Sequence, residues 1–236
     1  MYLLDEMSRA RFPPSEYHYT AAISVCNARG DCRSALVLLE RMNTEGITPS
    51  QISYSSIIIT MGRQGYKKPL LQLMREMTSR GLTPDAATYS AAIRAAAKSK
   101  KPQLAELYSK EMRAKGFVPG LSLYHAVMTM YADNKNWVAA LQTLNDMKAD
   151  GVALNVNIYN LVILACGKSG KCEKALSIME EMKAAGLAPN LTTYQAIIQS
   201  CQSAGLSSMA STLQKEMKEK GIVPDGASLQ IGRAHV

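Results

Sequence analysis

An all-α fold, a solenoid of stacked antiparallel helix-turn-helix repeats of 35 residues each, is what this sequence predicts. Three observations predict it. Tyr19, Tyr54, Tyr89, Tyr124, Tyr159 and Tyr194 follow one another at a constant step of 35 residues. Methionine keeps that step from Met7 through Met42, Met77, Met112, Met147 and Met182 to Met217, and glycine keeps it at Gly46, Gly81, Gly116, Gly151, Gly186 and Gly221. The composition is that of helices, rich in Ala, Leu, Met, Lys and Glu with only 2 Phe and 1 Trp. A fixed period of this size marks repeated supersecondary units, each of which must stack on its neighbours to bury its apolar stripe.

Taken in order, residues 1–15 have the spacing of a second helix and its stop, with Met7, Phe12 and Pro14, and read as the end of an incomplete repeat. Six full repeats follow, at 16–50, 51–85, 86–120, 121–155, 156–190 and 191–225. Residues 226–236 open a further repeat; Ile231 to Val236 fits no repeat position, matches one frame of a common sequencing adapter, and is read as a sequence scar.

Within a repeat the fifth is the clearest. Tyr159, Val162, Ile163 and Cys166 fall on one helical stripe, which predicts a first helix from Ile158 to about Lys168. Gly170 ends it. Ala175, Leu176, Ile178, Met179 and Met182 predict a second helix over about Cys172 to Ala185, closed by Gly186 to Pro189. The closing proline recurs at Pro49, Pro84, Pro119, Pro189 and Pro224, with Leu154 as the exception. One second-helix position holds Ala35, Ala105, Ala140, Ala175 and Ala210, with Leu70 in the second repeat. So small a side chain predicts close contact inside each hairpin.

Composition narrows the function. An apolar share of 47% suffices for a sizeable core, and a formal charge of +8 suits an anionic partner. No apolar run has the length of a membrane span or the form of a signal peptide, so membrane insertion is not expected. The 5 cysteines show no C-x-x-C spacing and are expected to be reduced, buried packing residues. His18, His125 and His235 have no Cys or carboxylate cluster around them, so no metal is expected. Gly-rich phosphate loops, nucleophile elbows and the His-x-Glu with Pro-Cys-x-x-Cys of zinc deaminases are missing, which predicts no enzyme, no cofactor and no small-molecule substrate.

The 35-residue step, the tyrosine near the head of each unit, and the Glu-Glu-Met-Lys-x-x-Gly-x-x-Pro-Asn ending at Glu180 to Asn190 resemble pentatricopeptide-repeat proteins of the pure-repeat (P-type) subclass. The resemblance implies a right-handed superhelix that binds single-stranded RNA, one base per repeat. It further implies a role in organellar RNA stabilisation, processing or translation, in chloroplast or mitochondrion.

Carried onto this chain, the family's base-facing position is the fifth of each repeat, Thr20, Ser55, Ser90, His125, Asn160 and Gln195. Its partner is the last, Ser50, Asp85, Gly120, Asn155, Asn190 and Asp225. Ser55 with Asp85 resembles guanine-reading pairs and Asn160 with Asn190 pyrimidine-reading ones. The second position, which sandwiches bases, holds Tyr17, Ile52, Ala87, Ser122, Asn157 and Thr192. Arg29, Arg63, Lys98 and Lys168, near the ends of first helices, are placed to meet phosphates or to complement helix dipoles on a solvated rim. The alternative partner is a protein, with the chain acting as scaffold in an organellar ribosome, polymerase or photosynthetic complex.

Overall fold

The structure, a computed structural model, describes residues 2–222. Asp225, Pro224, His235 and the expected further repeat and scar at 226–236 lie outside the described residues. The described residues form 13 helices and no strand, an all-α helical-repeat solenoid. They fall into two compact units, the first ending at Pro119 and the second beginning at Gly120.

In the first unit α1 (Tyr2–Arg9) precedes three hairpins: α2 (Glu16–Ala28) with α3 (Cys32–Thr44), α4 (Gln51–Gln64) with α5 (Lys67–Ser79), and α6 (Ala86–Lys98) with α7 (Pro102–Ala114). In the second the hairpins are α8 (Leu121–Asp133) with α9 (Trp137–Ala149), α10 (Val156–Lys168) with α11 (Cys172–Ala184), and α12 (Leu191–Ser203) with α13 (Ser207–Glu219). Each first helix packs on its own second helix and on the next first helix of its unit, so α2, α4 and α6 form one row and α8, α10 and α12 another.

The methionine and glycine series owe their phase to one device at the end of every second helix. Gly186 takes φ +76°, a left-handed conformation that glycine enters without the Cβ penalty. The turn lets Leu187 N–H donate to Met182 O at 3.1 Å and Gly186 N–H to Lys183 O at 2.9 Å, the Schellman pattern that satisfies the last carbonyls. Met182 is fully buried, so the residue that anchors the cap also fills the hairpin interior. The same bond joins Ile47 to Met42, Leu82 to Met77, Phe117 to Met112, Val152 to Met147 and Ile222 to Met217.

The tyrosine series is core, each ring 5% exposed or less. Each hydroxyl faces a second helix of its own repeat: Tyr54 donates to Glu76 at 2.6 Å, Tyr159 to Glu181 at 2.8 Å and Tyr194 to Glu216 at 2.9 Å. Leu70, the odd residue of the alanine series, is admitted by Gly62, where a Cβ would stand 3.4 Å from Leu70 Cδ1.

The cysteines depart from expectation. Cys26, Cys32 and Cys166 are free, but Cys172 and Cys201 form a disulfide. A search for C-x-x-C spacing looks only along the chain. Repeat stacking instead brings the start of α11 to the last turn of α12, with Cα atoms 5.4 Å apart across 29 residues, inside the bridging range.

Candidate nucleic-acid interface

Counting positions from the start of each repeat, the second and fifth lie three apart on a first helix and share a face. At the second position Tyr17, Ile52, Ala87, Ser122, Asn157 and Thr192 are all exposed. Tyr17 and Ile52 stand out as apolar surface, 80% and 63% exposed. The fifth position is graded. His125 and Gln195 are exposed, Thr20 and Ser90 half-buried, and Ser55 and Asn160 buried.

The reason for the gradient lies in the last position of each repeat, which is the N-cap of the following first helix. Ser50, Asp85, Asn155 and Asn190 all accept a hydrogen bond from the backbone N–H three residues on, satisfying a donor the helix leaves orphaned. Gly120 caps α8 without a side chain. The third position of the new helix then decides what the fifth position behind it can do. Ser53, Thr88 and Thr193 are fully buried hydroxyls.

In the fifth repeat the parts close into a network. Thr193 donates to Asn160 Oδ1 at 2.6 Å, and Asn160 Nδ2 donates to Asn190 Oδ1 at 3.1 Å, which also accepts from Thr193 N–H at 3.1 Å. Two side chains 30 residues apart thereby stand side by side. In the first repeat Thr20 and Ser53 hydroxyls lie 2.9 Å apart and Ser50 adds a 3.3 Å contact.

The other repeats leave capacity open. Asp85 Oδ1 takes both the Thr88 N–H, at 2.8 Å, and its hydroxyl, at 2.6 Å. Ser55 Oγ is buried with no partner, an arrangement costing about 1–3 kcal/mol that a ligand atom could relieve after a rotamer change. Ser90 donates to Ala86 O on its own helix at 2.7 Å. Ile158 occupies the third position after His125, so no hydroxyl from there can hold the imidazole.

Arg29, Arg63, Lys98 and Lys168 are exposed at the far ends of the first helices. Lys168 is paired with Asp133 at 3.2 Å. Two sets of positions escaped the reading of the sequence although both keep the repeat's phase. They are the third-position hydroxyls and the second-helix carboxylates Glu76, Glu111, Glu181 and Glu216.

Among the described residues no group of His, Cys, Asp and Glu could hold a metal ion, and no helix is long and apolar enough to cross a membrane. The surface is a set of polar positions repeated along two rows of helices, suited to binding a periodic ligand.

Comparison with known proteins gives this pattern a place. The pentatricopeptide repeat domain model matches residues 2–64, 72–134 and 142–204, and the single-repeat model matches 122–152 and 192–222. No curated protein matches the chain. Among solved structures, the maize pentatricopeptide repeat protein PPR10 is similar at a TM-score of 0.53 and 20% identity, over 96% of this chain and 37% of that one. The nuclear proteinaceous RNase P 2 of A. thaliana is similar at a TM-score of 0.66 and 18% identity, over 77% of this chain and 41% of that one. The chain thus spans about two fifths of the length of these two proteins.

Proposed function

Because the chain belongs to the pentatricopeptide-repeat family, we propose that it binds single-stranded RNA through its first helices, one base to one repeat, and acts on organellar transcripts by occupancy and not by catalysis. The observation that carries this reading is the pairing at Asn160 and Asn190, the fifth and last positions of one repeat, whose amides touch at 3.1 Å while the second-position residues Asn157 and Thr192 are exposed. A base inserted between Asn157 and Thr192 would meet that pair on one edge. Single strands offer their Watson–Crick edges freely, so short polar side chains at a fixed period suffice to read them. Family membership also favours chloroplast or mitochondrion as the site of action.

Under this reading Ser55 and Asp85 prefer guanine, and Asn160 and Asn190 a pyrimidine. Replacing Ser55→Asn with Asp85 kept shifts the preference of that repeat from guanine toward uracil in a selection from randomised RNA. No change at that base sinks the assignment. Burial of Ser55 and Asn160 favours the second reading, a protein-binding scaffold. Salt separates the two, since RNA affinity falls steeply with ionic strength, by about 0.7 log units per neutralised phosphate and decade of salt.

A further inference from the structure

The base-reading positions occupy one end of each first helix, and the cations of the first unit crowd the other end. In the first repeat Arg29 and Arg33 flank the turn between α2 and α3. In the second, Arg63, Lys67 and Lys68 flank the turn between α4 and α5. In the third, Lys98, Lys100 and Lys101 flank the turn between α6 and α7. Against these eight cations stands one carboxylate, Asp31, and it caps α3 by accepting from Ser34 N–H at 3.0 Å. The whole chain carries a formal charge of only +8, so its excess is concentrated on this edge. The opposite edge of the same unit is balanced, with Glu45 and Asp85 against Arg80 and Lys115.

Two features accompany this crowding of charge. Lys67 Nζ donates to Lys98 O at 3.3 Å, which holds the cations of the second and third repeats together with no anion between them. Lys100 sits at φ +54°, in the left-handed turn position that Gly30 and Gly65 fill in the repeats before it and that Lys135 fills at φ +55° in the repeat after it. A non-glycine residue there costs on the order of 1 kcal/mol. Folding alone would favour glycine, and a lysine in its place adds charge where charge is already crowded.

We propose that this edge of the first unit docks double-stranded RNA by its phosphates, without regard to sequence. The edge lies about 12–18 Å from the second and fifth positions, counting eight to twelve residues of helix at 1.5 Å each. Bases held at those positions therefore leave the edge free for another segment of the RNA. A duplex fits because its bases are paired and its dense phosphate charge releases counter-ions when cations approach. Duplex RNA is recognised through shape and phosphate contacts in any case.

The test uses the full chain, a blunt RNA duplex of about 16 base pairs and a single strand as separate fluorescence-anisotropy probes. The variant Lys68→Gln, Lys100→Gly, Lys101→Gln keeps the turn, since glycine suits position 100 better than lysine does. Duplex affinity is expected to fall at least tenfold, and the salt slope to flatten by about 2–3, near 0.9 for each phosphate that is no longer neutralised. Arg80→Gln with Lys115→Gln, on the balanced edge, is expected to change duplex binding less than twofold. Absence of duplex binding by the unsubstituted chain at low salt, an unchanged duplex affinity in the triple variant, or displacement of the duplex by poly-glutamate at equal charge overturns the proposal. Failure of the Ser55→Asn base shift with the duplex loss intact would remove base reading alone and leave the edge assignment standing.

Discussion

Every tyrosine of the series needs an acceptor on its second helix, and the residues that supply it show how a repeat tolerates drift. Where the sequence has Glu76, Glu181 or Glu216 the bond is direct, and at Glu111 it stretches to 3.5 Å from Tyr89. The fourth repeat has the shorter Asp146 in that place, and Tyr124 donates one turn further on, to Asp150. The first repeat has Arg41, whose guanidinium lies over the Tyr19 ring and pairs with Glu45 at 2.7 Å. Tyr19 OH is buried without a close hydrogen bond, and burial with the nearby Glu45 pushes its pKa up to about 12. Tyr159→Phe should cost about 1 kcal/mol in urea unfolding, because Glu181 keeps Lys148 at 2.8 Å and is not left alone. A loss above about 3 kcal/mol would mean the hydroxyl does more than this bond. Glu216 carries a pH dependence. Hydrogen bonds from Lys220 and then Tyr194 outweigh its burial and lower its pKa from 4.5 to about 2. A lowered folded pKa means the contribution is complete above pH 4.5 and drains away as pH falls toward 2. Partial exposure and screening limit it to roughly 1 kcal/mol. Glu216→Gln should lower Tm at pH 7 by the amount this contribution is worth and flatten the Tm profile across that window, so that the two profiles converge near pH 2. The tyrosines were legible from spacing, but their partners were not, because a carboxylate on an amphipathic helix looks like solvated surface until the hairpin closes.

Helix phase was legible because period, cap and core coincide. The fifth repeat's second helix was expected over about Cys172 to Ala185 and runs Cys172–Ala184, and its first was expected from Ile158 and starts at Val156. The early start has a cause: Asn155 caps the helix, and a cap cannot be seen from an apolar stripe that begins two residues later. Contacts between consecutive first helices went unread, although one position of the repeat holds the small residues Gly62, Ala97, Ala132 and Gly167, because a small side chain on a helix does not show what approaches it. Gly167 is the sharpest case, where a Cβ would stand 3.1 Å from the Ala196 carbonyl oxygen and 3.4 Å from Ser200 Cβ. Gly167→Val should therefore destabilise by about 1–3 kcal/mol despite valine's better helix propensity, because backbone cannot yield as a side-chain tip can. A stabilised variant would show that α10 and α12 have room to part. The disulfide between Cys172 and Cys201 ties the same two repeats together. Closing a loop of this length is worth about 3.6 kcal/mol by the chain-entropy account. Cys201→Ser should lower the urea midpoint, and adding a reductant should then change nothing further. A midpoint in the unsubstituted chain that ignores reductant would show that the bond contributes no stability.

Buried residues of the second unit form one continuous cluster from α8 to α13, built up hairpin on hairpin along the row. Stability in such an array is a sum of repeat and interface contributions, so damage should travel only as far as the next interface. A compact globular domain behaves differently, losing protection everywhere when one core residue is spoiled. Gly167→Val is a clean probe of this difference, since its clash lies at a single interface, between α10 and α12. Lowering that interface by about 1–3 kcal/mol should raise amide exchange in α10 to α13 by roughly five- to a hundredfold, at 1.4 kcal/mol per tenfold. The amides of α2 to α5, which belong to the other compact unit, should keep their exchange rates within a factor of about two. Exchange that rises by the same factor in α4 as in α12 would contradict the additive picture and with it the claim that each repeat is stabilised by its neighbours alone. The same locality bears on binding. If repeats act nearly independently, a variant at Asn160 should alter the base preferred there and leave the base met at Ser55 untouched, and a randomised-RNA selection reads both positions at once.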